Sequence, residues 1–166
     1  MIVKIFVGNL LEEIENLQLD GIMNAANGKG PMGRGIAGAI KEYGGKVIQT
    51  DAYRICKELD PQPGQTYSTI SGKLKERGIQ RIIHAVTMKQ PGGITSYEIC
   101  KNAFISALKL AKEEGIKRLG CTALGTGVGG LDPCEIAKVM KPIAEKSEIE
   151  VIFCDFDKIF IDQLLK

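Results

Sequence analysis

The sequence predicts an α/β protein with a largely parallel sheet that is covered by helices on both faces. Short β-branched and apolar runs alternate with amphipathic segments, and two glycine-rich segments each stand between a predicted strand and a predicted helix. The 166 residues, of which 44% are hydrophobic, suffice for one domain with a substantial core, which we place over residues 1–166. Such sheets bind ligands beyond the carboxyl ends of their strands, so we expect a site there.

The first third of the chain contains two predicted strands and two predicted helices. Ile2–Val7 is a short apolar run typical of a strand, and Leu19–Ala25 is a second run that leads into the first glycine-rich segment. A helix is expected to begin near Gly35 and to stop at the glycine pair that starts with Gly44. Apolar residues at helical spacing over 48–59 predict a second helix, which ends at the prolines that follow.

The middle of the chain contains the most apolar predicted strand. Tyr67–Ile70 is a short strand candidate, and residues 73–77 predict one turn of helix. Arg81–Thr87 is rich in β-branched residues and is typical of a central, buried strand. A long amphipathic helix is expected to begin at Thr95 or Ser96, where the capping-box spacing occurs.

The last third repeats the order strand, glycine loop, helix. Leu119–Ala123 predicts a strand, and Leu124–Gly130 forms the second glycine-rich segment. Residues 132–133, an Asp-Pro pair, have the types preferred at the cap and first position of a helix. Val151–Cys154 predicts the final strand, and a short helix is expected from about Asp157.

The first glycine-rich segment, Gly21–Gly38, is suited to binding a phosphate, because glycines let main-chain N–H groups approach an anion at a helix start. Residues 33–38 match the dinucleotide fingerprint literally, but an irregular stretch separates them from the strand. A P-loop spacing begins at Gly28, yet Arg34 and Gly35 stand where Lys and Ser/Thr are required. A glycine-rich surface loop without a ligand is the remaining alternative.

Bulk composition restricts the classes of partner. A net charge of +2 gives no extended positive field, so it does not argue for duplex nucleic acid as the main partner, although it does not exclude it. Five widely spaced cysteines without a CxxC pair argue against a zinc site and a disulfide framework, and we expect no metal and no cofactor. The sequence shows neither a leader nor a membrane span, so a cytoplasmic location is expected. The single histidine, His84, lies in an apolar strand and is expected to be a buried core residue.

Five motifs together resemble the macrodomain family in order and spacing. They are NAAN at 24–27, MGRGIAGAI at 32–40, TISGKL at 69–74, IIHAV at 82–86 and ALGTGVGG at 123–130. The resemblance covers nearly the whole chain. It implies a three-layer α/β/α sandwich around a mixed, mostly parallel sheet of about six strands, and a cleft that binds ADP-ribose.

The same resemblance implies roles for particular residues. Asn27 stands where the family holds the distal ribose, and it is the catalytic candidate; Asn24 is expected chiefly to pin the loop to the backbone. Phe156 resembles the aromatic that packs on adenine, and the alternative is a core residue that caps the last helix. The ligand-binding residues implied by the resemblance are Asn9, Leu10, Asn24, Gly33, Arg34, Gly35, Ile36, Gly125, Thr126, Gly127, Val128, Gly129 and Phe156.

Four departures from the family pattern bear on activity. Asn9 stands near the position of an Asp that reads the adenine amino group, and Gly129 replaces an aromatic that packs against the distal ribose. Arg34 replaces the middle glycine of a triple-glycine loop and either reaches a phosphate or points to solvent. Ala37 occupies the position where one hydrolytic branch has a catalytic Asp, so that mechanism should be absent.

Three functions of different class therefore remain. The first is an ADP-ribose-binding domain that slowly hydrolyses ADP-ribosyl esters, namely ADP-ribosylated Glu or Asp, O-acetyl-ADP-ribose or ADP-ribose-1″-phosphate. The second is a reader that binds ADP-ribose, free or attached to a protein, without turnover. The third is a general nucleotide or nucleic-acid binder that uses the same fold.

Overall fold

The apolar runs form one six-stranded sheet in the computed structural model, which describes residues 1–166. The strands are β1 (Ile2–Val7), β2 (Gly21–Asn27), β3 (Thr66–Thr69), β4 (Arg81–Met88), β5 (Arg118–Cys121) and β6 (Glu150–Asp155). Their order in the sheet is β1-β6-β5-β2-β4-β3. Only β3 runs antiparallel to its neighbour, β4, so the predicted mixed and mostly parallel sheet is confirmed.

Six helices connect the strands and cover both faces of the sheet. They are α1 (Ile14–Leu17), α2 (Gly35–Gly44), α3 (Val47–Leu59), α4 (Tyr97–Glu113), α5 (Pro133–Glu145) and α6 (Lys158–Leu165). Two 3₁₀ turns, Leu10–Glu12 and Gly72–Arg77, lie between them. One core joins the sheet to α4, α5 and α6, and two smaller clusters join the other face to α1, α2 and α3. This arrangement is the predicted three-layer α/β/α sandwich.

Strand β4 shows why both faces need helices. Its residues from Ile82 to Thr87 are all buried, and successive side chains point to opposite faces. Ile83 packs in the large core with α4, whereas Ile82 packs in the cluster below α2. A strand that is apolar on both faces is stable only when both are covered, as parallel sheets require.

Most predicted elements are confirmed, with shifts of one to three residues at their ends. Strand β2 extends to Asn27 instead of ending at Ala25. Ser96 caps α4, because its side chain accepts a hydrogen bond from the Ile99 N–H at 3.1 Å, and Thr95 does not serve as the cap. Leu59 was expected on the apolar face of α3 but is 65% exposed.

Helix α1 and the 3₁₀ turn before it were missed by the sequence reading. The segment is polar at half of its positions and too short to show helical periodicity. It nevertheless buries Leu10, Leu11, Ile14 and Leu17 below the sheet. No helix of the chain is long and apolar enough to cross a membrane.

Candidate functional site

A cleft of about 640 Å³ lies at the carboxyl edge of the sheet, within the usual size range of small-molecule sites. Segments that follow five of the six strands line it: residues 8–11 after β1, 25–39 from the end of β2 into α2, 87–92 after β4, 122–129 after β5 and 154–156 at the end of β6. Every predicted site residue lines this cleft except Asn24. The parallel topology thus collects residues that are far apart in the sequence at one edge of the sheet.

The first glycine-rich segment presents free donors at the start of α2. Arg34 is the cap residue of this helix, and no side chain accepts hydrogen bonds from its first turn. The first N–H groups of a helix lack internal partners, so those of residues 35–37 are available to a ligand. Gly35 has φ +56°, and side chains at Gly33 or Gly35 would meet nothing within 4 Å. The helix start is therefore accessible from the cleft and favours an anion.

The second glycine-rich segment presents a further row of donors. The N–H groups of residues 126–129 donate to no acceptor within the chain. The loop is closed below them, since Leu131 N–H donates to the Gly125 carbonyl oxygen at 3.0 Å. Gly127 has open space where a side chain would stand. The two glycine loops thus line one cleft with main-chain N–H groups whose partners must come from outside the chain.

Gly129 lacks space for the aromatic side chain that the family resemblance led us to expect at this position. A Cβ at this position would lie 2.6 Å from the Gly125 carbonyl oxygen and 2.6 Å from Thr95 Cγ2. The absence of the aromatic does not by itself open that end of the cleft, because the neighbouring segment at Thr95 packs against the loop. Glycine is required here by the close approach of two chain segments.

Asn27 organises the first loop from the end of β2. Its Oδ1 accepts hydrogen bonds from the N–H groups of Lys29 and Gly30, each at 2.9 Å, and its Nδ2 donates to the Pro31 carbonyl oxygen at 3.0 Å. One Nδ2 hydrogen is left for a ligand. The side chain that was predicted to position only the ribose is therefore also the one that pins the loop.

Asn24, predicted chiefly to pin the loop, makes no hydrogen bond to that loop and is not among the residues that line the cleft. It is 1% exposed, and its Nδ2 lies 3.0 Å from Nδ1 of His84 on the neighbouring strand. His84 also bonds Thr69 and stacks on Tyr67 with ring centroids 4.5 Å apart. Burial lowers the pKa of His84 to about 3, so the ring is neutral. The expectation that His84 is a buried core residue is confirmed.

One end of the cleft, between β1 and β6, presents an exposed aromatic ring. Phe156 is 74% exposed, which excludes the alternative that it is a core residue. Leu10 forms a buried part of the wall, and Asn9 caps the adjoining 3₁₀ turn by accepting the Leu11 N–H at 3.1 Å. The Asn9 oxygen, which stands near the position where the family's Asp reads the adenine amino group, thus already accepts a hydrogen bond from the backbone.

Asp155 is the site residue that the sequence analysis missed. It lines the cleft beside Phe156, and burial raises its pKa although Ala123 N–H and Asp157 N–H both donate to it at 2.8 Å. The available signal was its position, since it is a carboxylate at the carboxyl end of the last strand. Asp157 is a second carboxylate close by, and the pattern of the sequence alone does not show which of the two faces a cleft.

Arg34 and Asp155 are the only charged residues that line the cleft. Arg34 is exposed and forms no salt bridge, and it follows β2 near the centre of the sheet. Asp155 lies at the end of β6, next to an edge of the sheet. An anionic group is therefore favoured at the centre of the cleft and disfavoured at the Phe156 end.

The cleft contains no residue with the usual features of a nucleophile or base near Asn27. Ala37 contributes only a methyl group, as the sequence indicated. Burial raises the pKa of the Cys154 thiol to about 12, so this thiol is protonated at neutral pH. Cys121, at the end of β5 just before the second loop, is fully buried, and its pKa is also raised by burial.

Comparison with known proteins identifies the family. The sequence model described as Macro domain matches residues 23–140, which include both glycine loops. The chain belongs to the macro domain family. An uncharacterized protein of Aquifex aeolicus is 35% identical over 98% of this chain and 94% of its own length. A second uncharacterized relative, from Sulfurisphaera tokodaii, is 36% identical over 88% of this chain and 76% of its own.

Solved structures show that the fold is that of a macro domain. The macrodomain of Mycobacterium tuberculosis DarG superposes with a TM-score of 0.78 at 22% identity and covers 93% of this chain and 97% of its own. Thermosipho africanus DarTG in complex with ADP-ribose has a TM-score of 0.72 at 21% identity, over 90% of this chain and 43% of its own. At these identities the comparison establishes architecture only. The predicted resemblance and fold class are both confirmed.

Proposed function

We propose that this macro domain binds ADP-ribose in the cleft at the carboxyl edge of its sheet. The observation that carries the proposal is the pair of glycine loops whose main-chain N–H groups, at residues 35–37 and 126–129, lack partners within the chain and line the same cleft. A diphosphate supplies acceptors for both rows. The related DarTG structure that holds ADP-ribose supports the choice of ligand.

We infer the direction of the ligand from the charges and exposed groups along the cleft. The adenine ring packs against the exposed face of Phe156, and the diphosphate lies between the loops near Arg34. The distal ribose then lies at the β2 end, where the remaining Nδ2 hydrogen of Asn27 donates to a ribose hydroxyl. The reverse direction would place phosphates next to the carboxylate of Asp155, which is electrostatically unfavourable.

We further propose that the chain hydrolyses ADP-ribosyl esters, and that it does so slowly. The candidate substrates are ADP-ribosylated Glu or Asp, O-acetyl-ADP-ribose and ADP-ribose-1″-phosphate. Asn27 holds the ribose and the loops hold the diphosphate, but Ala37 offers no base and Asp155 lies at the opposite end. A phosphate oxygen of the substrate must then orient the water, and the loss of a side-chain base costs about 10²- to 10⁴-fold in rate.

A reader without turnover is the second candidate function. It is favoured by Ala37 and by Asn27, whose side chain is largely committed to its own loop. A general nucleotide binder is the third candidate. It is favoured by Asn9, whose side-chain oxygen already accepts a hydrogen bond from the backbone and is therefore less available to an adenine amino group.

Calorimetry with ADP-ribose, ADP and AMP, followed by incubation with a glutamate-ADP-ribosylated protein, tests these proposals. Binding of ADP-ribose in preference to ADP, with slow release of ADP-ribose from the protein, supports the hydrolase. Tight binding without release supports the reader, and equal affinity for all three nucleotides supports the general binder. Absence of heat with ADP-ribose at millimolar concentration overturns the binding proposal.

A further inference from the structure

The proposed chemistry leaves one charged cleft residue without a role. Asp155 is the only acidic residue among those that line the cleft, and the direction of the ligand puts it beside the base and away from both phosphates. A partly buried carboxylate in a ligand site is unfavourable unless hydrogen-bond donors compensate its charge. Asp155 therefore requires an explanation that the phosphate loops do not supply.

The carboxylate is fixed in place by the backbone. Its Oδ2 accepts the Ala123 N–H and its Oδ1 accepts the Asp157 N–H, both at 2.8 Å. Each oxygen keeps a second lone pair for another donor. Burial still raises the pKa of this group in spite of these bonds, so the charged form gains from one more donor. A ligand that donates an N–H hydrogen bond to this carboxylate stabilises its charged form.

Asn9 offers the complementary group at the same end of the cleft. Its Oδ1 is engaged by the Leu11 N–H, whereas its Nδ2 has no acceptor within the chain. Gly8, the residue before it, donates its N–H to the Asp155 carbonyl oxygen at 3.1 Å, which holds the two residues close together. The base end thus carries a carboxylate that accepts and an amide that donates.

We infer that Asp155 determines the choice of base by accepting a hydrogen bond from the exocyclic amino group of adenine, while Asn9 Nδ2 donates to a ring nitrogen. This inference rests on the proposed binding of ADP-ribose. Adenine carries an amino donor next to a ring nitrogen that accepts. Hypoxanthine carries a carbonyl oxygen next to a ring N–H, and so it presents an acceptor to the carboxylate and a donor to the amide. The same pocket rejects it because a buried polar group would be left unpaired.

The test compares the affinities of ADP-ribose and its hypoxanthine analogue, inosine diphosphate ribose, by calorimetry. The natural protein is expected to prefer ADP-ribose by ~10-fold or more, the usual effect of one hydrogen bond to a charged group. In Asp155→Asn this preference should fall to the part that Asn9 contributes, because the new amide can accept from the adenine amino group or donate to the hypoxanthine oxygen. A mere weakening of the local backbone would reduce both affinities together and leave their ratio unchanged.

Asp157→Asn is the matched control. Asp157 caps α6 through the Ile159 and Phe160 N–H groups, is not among the cleft-lining residues, and Asn is an equally good cap. It removes the same charge two residues away and should leave the ratio of affinities as in the natural protein. Equal affinity of the natural protein for both ligands, or an unchanged ratio in Asp155→Asn, overturns the inference. Failure of the natural protein to bind either ligand instead overturns the proposed function.

Discussion

Two asparagines three positions apart in β2 have different roles because they point to different surroundings. Asn24 lies within the sheet and bonds His84, whereas Asn27 lies at the carboxyl end of the strand, beyond a register shift with β4. There its side chain satisfies two N–H groups and one carbonyl of the loop that leads to α2. Asn27 therefore couples the shape of the first loop to the position proposed for the distal ribose.

Replacing Asn27 with Ala should lower both stability and affinity. The change leaves the Lys29 and Gly30 N–H groups without their acceptor, and we expect a loss of about 1–2 kcal/mol in the free energy of unfolding. Urea denaturation measures the stability, and calorimetry measures the affinity for ADP-ribose. Asn102→Ala, at an exposed position of α4, is the control and should change neither. An Asn27→Ala protein with the natural urea midpoint would show that the loop does not depend on this side chain.

Gly127 permits a test of the second loop that does not disturb the protein itself. A Cβ at this position meets nothing within 4 Å, so Gly127→Ala should unfold at the same temperature as the natural protein. Its affinity for ADP-ribose should fall by ~10-fold or more, because the methyl group stands among the donors proposed to hold the diphosphate. Gly115→Ala, far from the cleft at φ +80°, should lose some stability and no affinity. Undiminished binding by Gly127→Ala would mean that this loop does not contact the ligand.

At the scale of elements, strands β2, β3 and β4 share one buried polar cluster. His84 of β4 bonds Asn24 of β2 on one side and Thr69 of β3 on the other, and it stacks on Tyr67. Because the ring is fully buried, folding holds it in the neutral state. The edge strand β3 is thus connected to the centre of the sheet through one histidine.

This cluster should make stability depend on pH in a defined window. Above pH 6.5 the ring is neutral in both states; below that value the unfolded chain binds a proton that the folded chain excludes until about pH 3. Stability is therefore lost as the pH falls, by about 2 kcal/mol between pH 6.5 and pH 5 for the histidine alone. The pKa of Asp155 is raised in the folded protein, so the folded chain binds this proton more readily than the unfolded chain. Asp155 therefore partly offsets the loss of stability at acid pH.

Two measurements check this pH dependence. Urea denaturation at a series of pH values gives the slope, and His84 is the only histidine of the chain, so no other imidazole contributes. Proton NMR of the His84 ring in the folded protein should show no titration between pH 8 and pH 5. A ring that titrates near its ordinary value of about 6.5 would contradict the buried, neutral state.

The elements that could be predicted are those in which the pattern of apolar residues in the sequence matches the residues that are buried in the structure. β1, β4 and α2 have apolar runs or helix terminators that coincide with their ends, whereas α1 was missed because four residues carry no readable period. The cap of α4 could be narrowed only to two adjacent residues, since Thr95 and Ser96 are both good caps and the choice depends on tertiary contacts of Thr95 with the second loop.

At the scale of the whole molecule, the net charge of +2 gives no basis for a strong association with nucleic acid, although it does not exclude one. The chain carries 22 basic and 20 acidic residues, and its cleft contains one of each sign. We expect a single-stranded RNA to bind more weakly than about 100 μM at roughly 150 mM salt. Fluorescence anisotropy with a labelled RNA measures this, and ADP-ribose serves as the competitor. Micromolar RNA binding that ADP-ribose displaces would favour the general nucleic-acid binder.

The location of the candidate site could be predicted from the sequence, but most of its individual side-chain contacts could not. Glycine loops after strands predict where a parallel sheet binds an anion, and the loops at Gly35 and Gly127 do line one cleft. The pairings of individual side chains could not be predicted, because the roles of Asn24 and Asp155 depend on which neighbour the sheet places beside them. Strand order is a property of the whole chain, and adjacent residues do not encode it.

The order of the strands also has a consequence for how the chain is made. Strand β1 pairs only with β6, and the amino group of Met1 donates to the carbonyl oxygen of Ser147, 146 residues away. During synthesis β1 thus leaves the ribosome long before its partner β6, and their pairing must close a long stretch of intervening chain. Until then its apolar side chains and free backbone groups need protection from other nascent chains.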